Sequence, residues 1–142
     1  KEKKDLTVLT NSLKIAMELM GKKDITVILL GGKVRYGEGT TSGFWAEQMI
    51  KDFHVDKLFF GVGALMPEYG VMDYHLEETN LRRICLKSAK QIFALADFSK
   101  FGIKALNKVC ETDKLDYMIT DEKTDKKILR ELKEKGIRVI IA

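Results

Sequence analysis

An acid, a hydroxyl and an amine stand close together in ALADFSKFG, residues 94–102: Asp97, Ser99 and Lys100. The apolar run that begins at Gln91 stops abruptly at this acid. A lysine at the end of a strand can pair with an anion such as phosphate. A carboxylate beside it can accept from hydroxyls or move a proton. The other apolar runs end in the same way. LTVLT is followed by the trio Thr10, Asn11 and Ser12, and ITVILL by Gly31 and Gly32. KLFF is followed by Gly61 and Gly63, and YMIT by Asp121. Glycine lets a ligand approach the backbone, and small hydroxyl or amide residues cap a following helix while offering donors. Each feature has a plainer reading: an N-cap, a turn, or a capping turn with a solvated lysine. Together they point to a small anionic ligand held where strands end.

Two further segments carry charge or glycine. Between Tyr69 and Arg83 lie Asp73, Glu77, Glu78, Arg82 and Arg83. A glutamate near the arginines is read either as one side of a helix-face ion pair or as a carboxylate facing the ligand. Gly39-Thr40-Thr41 invites comparison with a phosphate loop but lacks the Gly-Lys-Ser/Thr ending and the spacing of one. Tyr36 and Trp45 read as packing or interface residues.

The elements that would position these residues alternate. Strands are expected at Leu6–Thr10, Ile25–Leu30, Lys57–Val62, Ile92–Ala96, Ala105–Cys110, Tyr117–Thr120 and Ile137–Ile141. Helices are expected over Ser12–Met20, Ser42–Phe53, Leu76–Lys90 and Asp125–Lys135. Leu76, Leu81, Ile84, Cys85 and Leu86 are the expected buried face of the third helix, and Ile128, Leu129 and Leu132 of the fourth. Unbroken apolar strands alternating with helices predict an α/β fold, a Rossmann-like three-layer sandwich with a mostly parallel sheet covered on both faces. Ligands of such sheets bind outside the carboxyl ends of the strands.

Composition bounds the classes of function. The chain has 142 residues, 45% hydrophobic and 32% charged, which is a globular composition of single-domain size. The net charge is +4, with lysines interspersed among acids, so a solvated surface is expected rather than a nucleic-acid footprint. Cys85 and Cys110 are far apart and read as reduced core thiols of a cytoplasmic protein. His54 and His75 lack metal-ligand spacing, so neither a metal nor a cofactor is expected. No apolar run approaches the roughly twenty residues that span a bilayer, and no membrane association is expected. Lys1 in place of Met suggests a fragment of a longer chain.

The order of the motifs carries a resemblance. LTVLTNSLKIA (6–16), VILLGGKVR (27–35), Gly43, DKLFFGVGAL (56–65), EETNLRR within the Gly70–Arg83 stretch, ALADFSKFG (94–102) and DYMITDE (116–122) follow one another. Over nearly its whole length the chain resembles the C-terminal effector domain of DeoR-type bacterial transcriptional repressors. That resemblance implies a fold similar to ribose-5-phosphate isomerase and a sensor of a phosphorylated sugar or sugar-derived metabolite. It also implies a preceding winged helix-turn-helix domain, absent here, through which the full-length protein binds DNA. Asp97, Ser99 and Lys100 resemble the D-x-S-K rim that repressors and isomerases place beside the sugar phosphate. Family members carry an Asp-x-Gly-Thr-Thr phosphate loop upstream of the Thr-Asn motif; it is absent from this sequence, which reads as N-terminally truncated.

The expected function is therefore non-enzymatic sensing by one effector-binding domain spanning 1–142. Thr10, Asn11 and Lys100 would contact the ligand, with Ser12, Asp97 and Ser99 beside them. Gly31, Gly32, Gly61 and Gly63 would permit its approach, and Asp73 and Glu77 would read hydroxyls. A sugar-phosphate isomerase is the alternative, with Glu77 or Glu78 and Lys100 as base and acid. Isomerases of that fold place an acidic pair in the loop after the third strand, whereas residues 61–66 here read GVGALM without a carboxylate. A homo-oligomer is also expected, with Tyr36, Phe44 and Trp45 available to an apolar interface.

Overall fold

The computed structural model describes residues 5–142, which fall in two compact units, one ending at Asp52 and one running from Phe53 to Ala142. In the first unit, β1 (Leu6–Thr10) pairs in parallel with β2 (Ile25–Leu29), from Leu6 opposite Ile25 to Thr10 opposite Leu29. Parallel strands need a crossover, and α1 (Leu13–Leu19) supplies it. Ser12 caps that helix, its Oγ accepting from Ile15 N at 3.4 Å. The chain then forms a hairpin of β3 (Lys33–Arg35) and β4 (Thr40–Ser42) before α2 (Phe44–Ile50). The helix expected from Ser42 thus starts later, because Ser42 belongs to β4 and pairs with Lys33. Tyr36, Phe44 and Trp45 are all exposed.

The second unit holds β5 (Val55–Gly61), β6 (Ala64–Met66), β7 (Gly70–Asp73), α3 (Leu76–Ser88), β8 (Ala89–Leu95), β9 (Asn107–Cys110), β10 (Tyr117–Thr120), α4 (Lys126–Glu134) and β11 (Arg138–Ile141). Strands β11, β10, β8 and β5 lie in that order, all parallel, as the unbroken apolar runs predict. A smaller antiparallel sheet, β6-β7-β9, completes the unit. The chain is therefore mixed α/β with a mostly parallel sheet and flanking helices.

The inward faces of the parallel strands carry Phe60, Ala94 and Met118, which cluster with Leu65, Val71, Leu115, Leu132 and Ile137. Burying the larger of these side chains stabilises each by about 1.5–3 kcal/mol over leaving it in water. Across the opposite face, Phe93 stacks between Phe59 and Tyr117 at centroid distances of 4.6 and 4.2 Å, and Phe59 is 56% exposed.

Leu132 on α4 is fully buried, as the helical spacing predicts, and Ile128 packs beside it in the cluster. On α3 the expectation is corrected at one end. Leu81 is buried, but Leu76 is 58% exposed; the first turns bury Glu78 and Thr79 instead. The reason is polar: Arg82 draws Glu78 and Asp73 to the inner side of the helix. Burial pushes both the Cys85 and Cys110 thiols up to about 11, which leaves them as unreactive packing groups. Among the described residues no helix is long and apolar enough to cross a membrane.

Candidate functional site

At the carboxyl edge of the four-stranded sheet lies an open cleft of about 420 Å³. Gly61 and Val62 line it after β5, Ala96 and Asp97 after β8, Thr120 and Asp121 at the end of β10, and Ala142 after β11; Lys100 enters from the next turn. The volume falls within the roughly 300–1,000 Å³ of small-molecule sites. The position is where ligands of parallel sheets bind. The walls are chiefly backbone and aliphatic, with polar groups at one side: Asp97, Lys100 and Asp121.

The turn that brings Lys100 there is a single 3-10 turn, Phe98–Lys100. Asp97 opens it. Its Oδ1 accepts from Ser99 N at 2.9 Å and from Ser99 Oγ, and its carbonyl accepts from Lys100 N at 3.0 Å. Asp121 holds the turn from outside: its Oδ2 accepts from Phe98 N at 2.9 Å and its Oδ1 from Lys123 N at 2.8 Å. Phe101 then enters the core, and Gly102 N donates to Leu65 O at 2.9 Å. Among the described residues, Lys100 Nζ has no hydrogen bond or ion pair, although the residue is only half-exposed. It is a cation at the cleft that acts on Asp97 through space but makes no direct hydrogen bond or ion pair among the described residues, which leaves its donors to an anion.

The bonds to Asp97 have a measurable consequence. The Ser99 hydroxyl, then the Ser99 amide and, more weakly, the Lys100 charge hold the Asp97 carboxyl below its ordinary 3.8. A depressed folded-state value means that the turn gains from the ionised form above the unfolded-chain value and loses that gain as pH falls through the folded value. In an NMR titration from neutral to strongly acid pH, the Ser99 amide shift is expected to follow a midpoint below 3.8. A midpoint at or above 3.8 would show the bond to be absent in solution.

The other residues expected at the ligand have different surroundings. Asp73 is buried, accepts from His75 N at 3.0 Å at the start of α3, and pairs with Arg82. Glu77 is exposed, and its neighbour Glu78 makes the ion pair with Arg82, at 3.5 Å. Gly63 admits the protein's own atoms: a methyl there would stand 3.0 Å from Asp73 Oδ2 and 3.2 Å from Met72 O. Gly61, on the cleft wall, faces open space.

Thr10, Asn11, Ser12, Gly31 and Gly32 lie in the first unit. Thr10 Oγ1 accepts from Ser12 N at 3.1 Å, and Asn11 Nδ2 donates to Thr41 O at 2.9 Å. Thr41 in turn donates from its backbone to Asn11 O at 2.7 Å and from its hydroxyl to Leu30 O. The threonines that resembled a phosphate loop thus hold the hairpin to the β1–α1 junction. Gly32 has φ +140°, and a methyl there would stand 2.5 Å from Ser42 O, so the hairpin itself requires glycine. Gly31 faces open space.

Asp121 was not among the residues expected at the ligand, although it lines the cleft. The signal for it was visible, since it ends an apolar strand just as Asp97 does. The partner of its carboxylate, Phe98 N, is 23 positions away and has no local signature.

A family model described as the DeoR C terminal sensor domain matches residues 1–122. The chain is 32% identical over 137 residues to the HTH-type transcriptional regulator GolR of Listeria innocua, covering 96% of this chain and 54% of that protein. It is 32% identical over 137 residues to the HTH-type transcriptional repressor GlcR of Bacillus subtilis, covering 96% of this chain and 53% of the repressor. It is 31% identical over the same length to a putative aga operon transcriptional repressor of Escherichia coli O157:H7, with coverage of 96% and 51%. The chain spans about half the length of the curated relatives it matches.

Proposed function

We propose that this chain, which belongs to the family of DeoR C-terminal sensor domains, binds a phosphorylated sugar or related metabolite in the cleft at the carboxyl edge of its parallel sheet. Lys100 takes the phosphate. The observation that carries this reading is the Lys100 ammonium, which stands at the cleft without an ion pair among the described residues on a turn fastened at both ends. The chiefly apolar walls offer few competing polar groups beside that charge. Asp97 and Asp121 keep further lone pairs that can accept from ligand hydroxyls. In the full-length regulator, ligand binding shifts the equilibrium between DNA-competent and DNA-incompetent states by the difference in its affinity for the two.

The role is sensing rather than catalysis. Both carboxylates in the cleft are committed to backbone amides, and a general base must be free to take up a proton and release it. The names of the relatives, all transcriptional regulators or repressors, support the same reading.

A thermal-shift titration against sugar phosphates, paired with their free sugars, tests the proposal. One phosphate is expected to stabilise the chain by about 2.7 kcal/mol at a hundredfold excess over its dissociation constant, and its free sugar much less. Equal responses to phosphate and free sugar, or silence throughout the panel, would count against Lys100 as the anion ligand.

A further inference from the structure

We infer that Asp121 is the residue that positions Lys100, because its carboxylate ties the turn bearing Lys100 to the end of β10. The inference rests on the anion-binding reading above. Between β8 and β10 the register runs Phe93 opposite Tyr117, Ala94 opposite Met118 and Leu95 opposite Ile119. One more backbone bond follows, Ala96 N to Ile119 O at 3.0 Å. Beyond it, among the described residues, no backbone carbonyl of β10 accepts from the next donor, Phe98 N. The Asp121 side chain supplies that acceptor instead, receiving Phe98 N at 2.9 Å. Its second oxygen receives Lys123 N at 2.8 Å, which locks the carboxylate in place. The turn Phe98–Lys100 is thereby held from the sheet side by Asp121 and on its far side by Phe101 in the core.

Asp121 also carries a negative charge into a cleft proposed to bind an anion. By charge alone its removal should strengthen anion binding; as a positioning residue its removal should weaken it. The two roles therefore predict opposite signs. A site on a three-residue turn is sensitive to such a tether, since displacement of a binding group by about 1 Å can cost as much as 100-fold.

The test is a double-mutant cycle on the full chain, with inorganic phosphate as the probe and binding followed by NMR titration. Asp121→Ala is expected to weaken phosphate binding about tenfold when Lys100 is present, and less than about twofold in a Lys100→Ala background. Asp121→Asn keeps one acceptor and is expected to fall between wild type and Asp121→Ala. Tighter binding by Asp121→Ala, or an equal loss in both backgrounds, would overturn the positioning role. A ligand-free readout separates this inference from the reading beneath it. In Asp121→Ala the Phe98 amide should exchange faster and the Lys100 side chain should gain mobility by relaxation measurements. If wild type binds no phosphate, the anion reading fails and the relaxation data alone decide whether Asp121 orders Lys100. Unchanged Lys100 mobility would overturn the inference whatever the titration shows.

Discussion

Arg82→Ala is expected to lower the unfolding free energy by about 3–5 kcal/mol, the usual cost of breaking a buried ion pair from one side. Arg82 bridges two acids that the fold removes from water: Asp73, 5% exposed, and Glu78, 8% exposed. Without the guanidinium both carboxylates remain buried close to one another. Asp73 would keep the His75 amide, which satisfies one oxygen but supplies no positive charge. The cluster also fixes local geometry, since Asp73 ends β7 and opens the way into α3, while Gly63 leaves room for its carboxylate. Urea unfolding of the wild type and the variant would measure the loss. Replacing both acids as well, as Asp73→Leu and Glu78→Leu with Arg82→Met, is expected to recover most of it, because a well-packed apolar cluster can match a buried ion-paired one. A loss below about 1 kcal/mol for Arg82→Ala would place the cluster in the class of solvated surface pairs.

This cluster marks where sequence reasoning stopped. The residue types were legible, and an ion pair between a glutamate and an arginine on α3 was one of two readings kept open. The choice of Glu78 over Glu77, and the recruitment of Asp73, depend on the angle at which the chain enters α3. The strands were legible where they are apolar and β-branched: β1 and β10 begin and end where expected. The hairpins β3–β4 and β6–β7 were not, because strands of three or four residues carry too short a periodicity to register, whether polar as in β3–β4 or mainly apolar as in β6–β7. The α3–β8 boundary was misplaced for a different reason. Ser88, Ala89 and Lys90 continue a helical pattern in composition, yet Ala89 pairs with Val55 of β5 and is drawn into the sheet. Tertiary pairing overrides local propensity there.

The candidate site divides along the same line. Asp97, Ser99 and Lys100 were legible because they interrupt an apolar run within a few positions. The tether from Asp121 was not, because it is a contact between two strand ends that are neighbours only in the folded sheet. Two glycines and an asparagine expected at the ligand also have close protein neighbours. Gly32 accommodates Ser42, Gly63 accommodates Asp73, and Asn11 holds Thr41. A small residue after a strand signals a close approach without saying what approaches.

Lys100→Ala is the variant that separates binding from folding. It is expected to weaken binding of the phosphorylated ligand by roughly 10- to 150-fold, the range corresponding to about 1.5–3 kcal/mol for a hydrogen bond to a charged group. It should leave the melting temperature of the free protein nearly unchanged, because among the described residues the ammonium has no hydrogen bond or direct ion pair to lose, only a weak through-space attraction to the exposed Asp97 carboxyl. The half-buried aliphatic stem could contribute packing of its own, so Lys100→Met, which keeps the stem and removes the charge, is the companion variant. Both should lose phosphate affinity to a similar degree while affinity for the free sugar stays within about twofold. Lys100→Arg should recover only part of the loss, since the longer planar fork places its donors differently. Isothermal titration with the phosphate and with its free sugar, alongside thermal melts of each variant without ligand, gives all of these values. A drop in melting temperature with affinity intact would make Lys100 a packing residue. Parallel losses for phosphate and free sugar would mean that the turn, rather than its charge, is what the ligand meets.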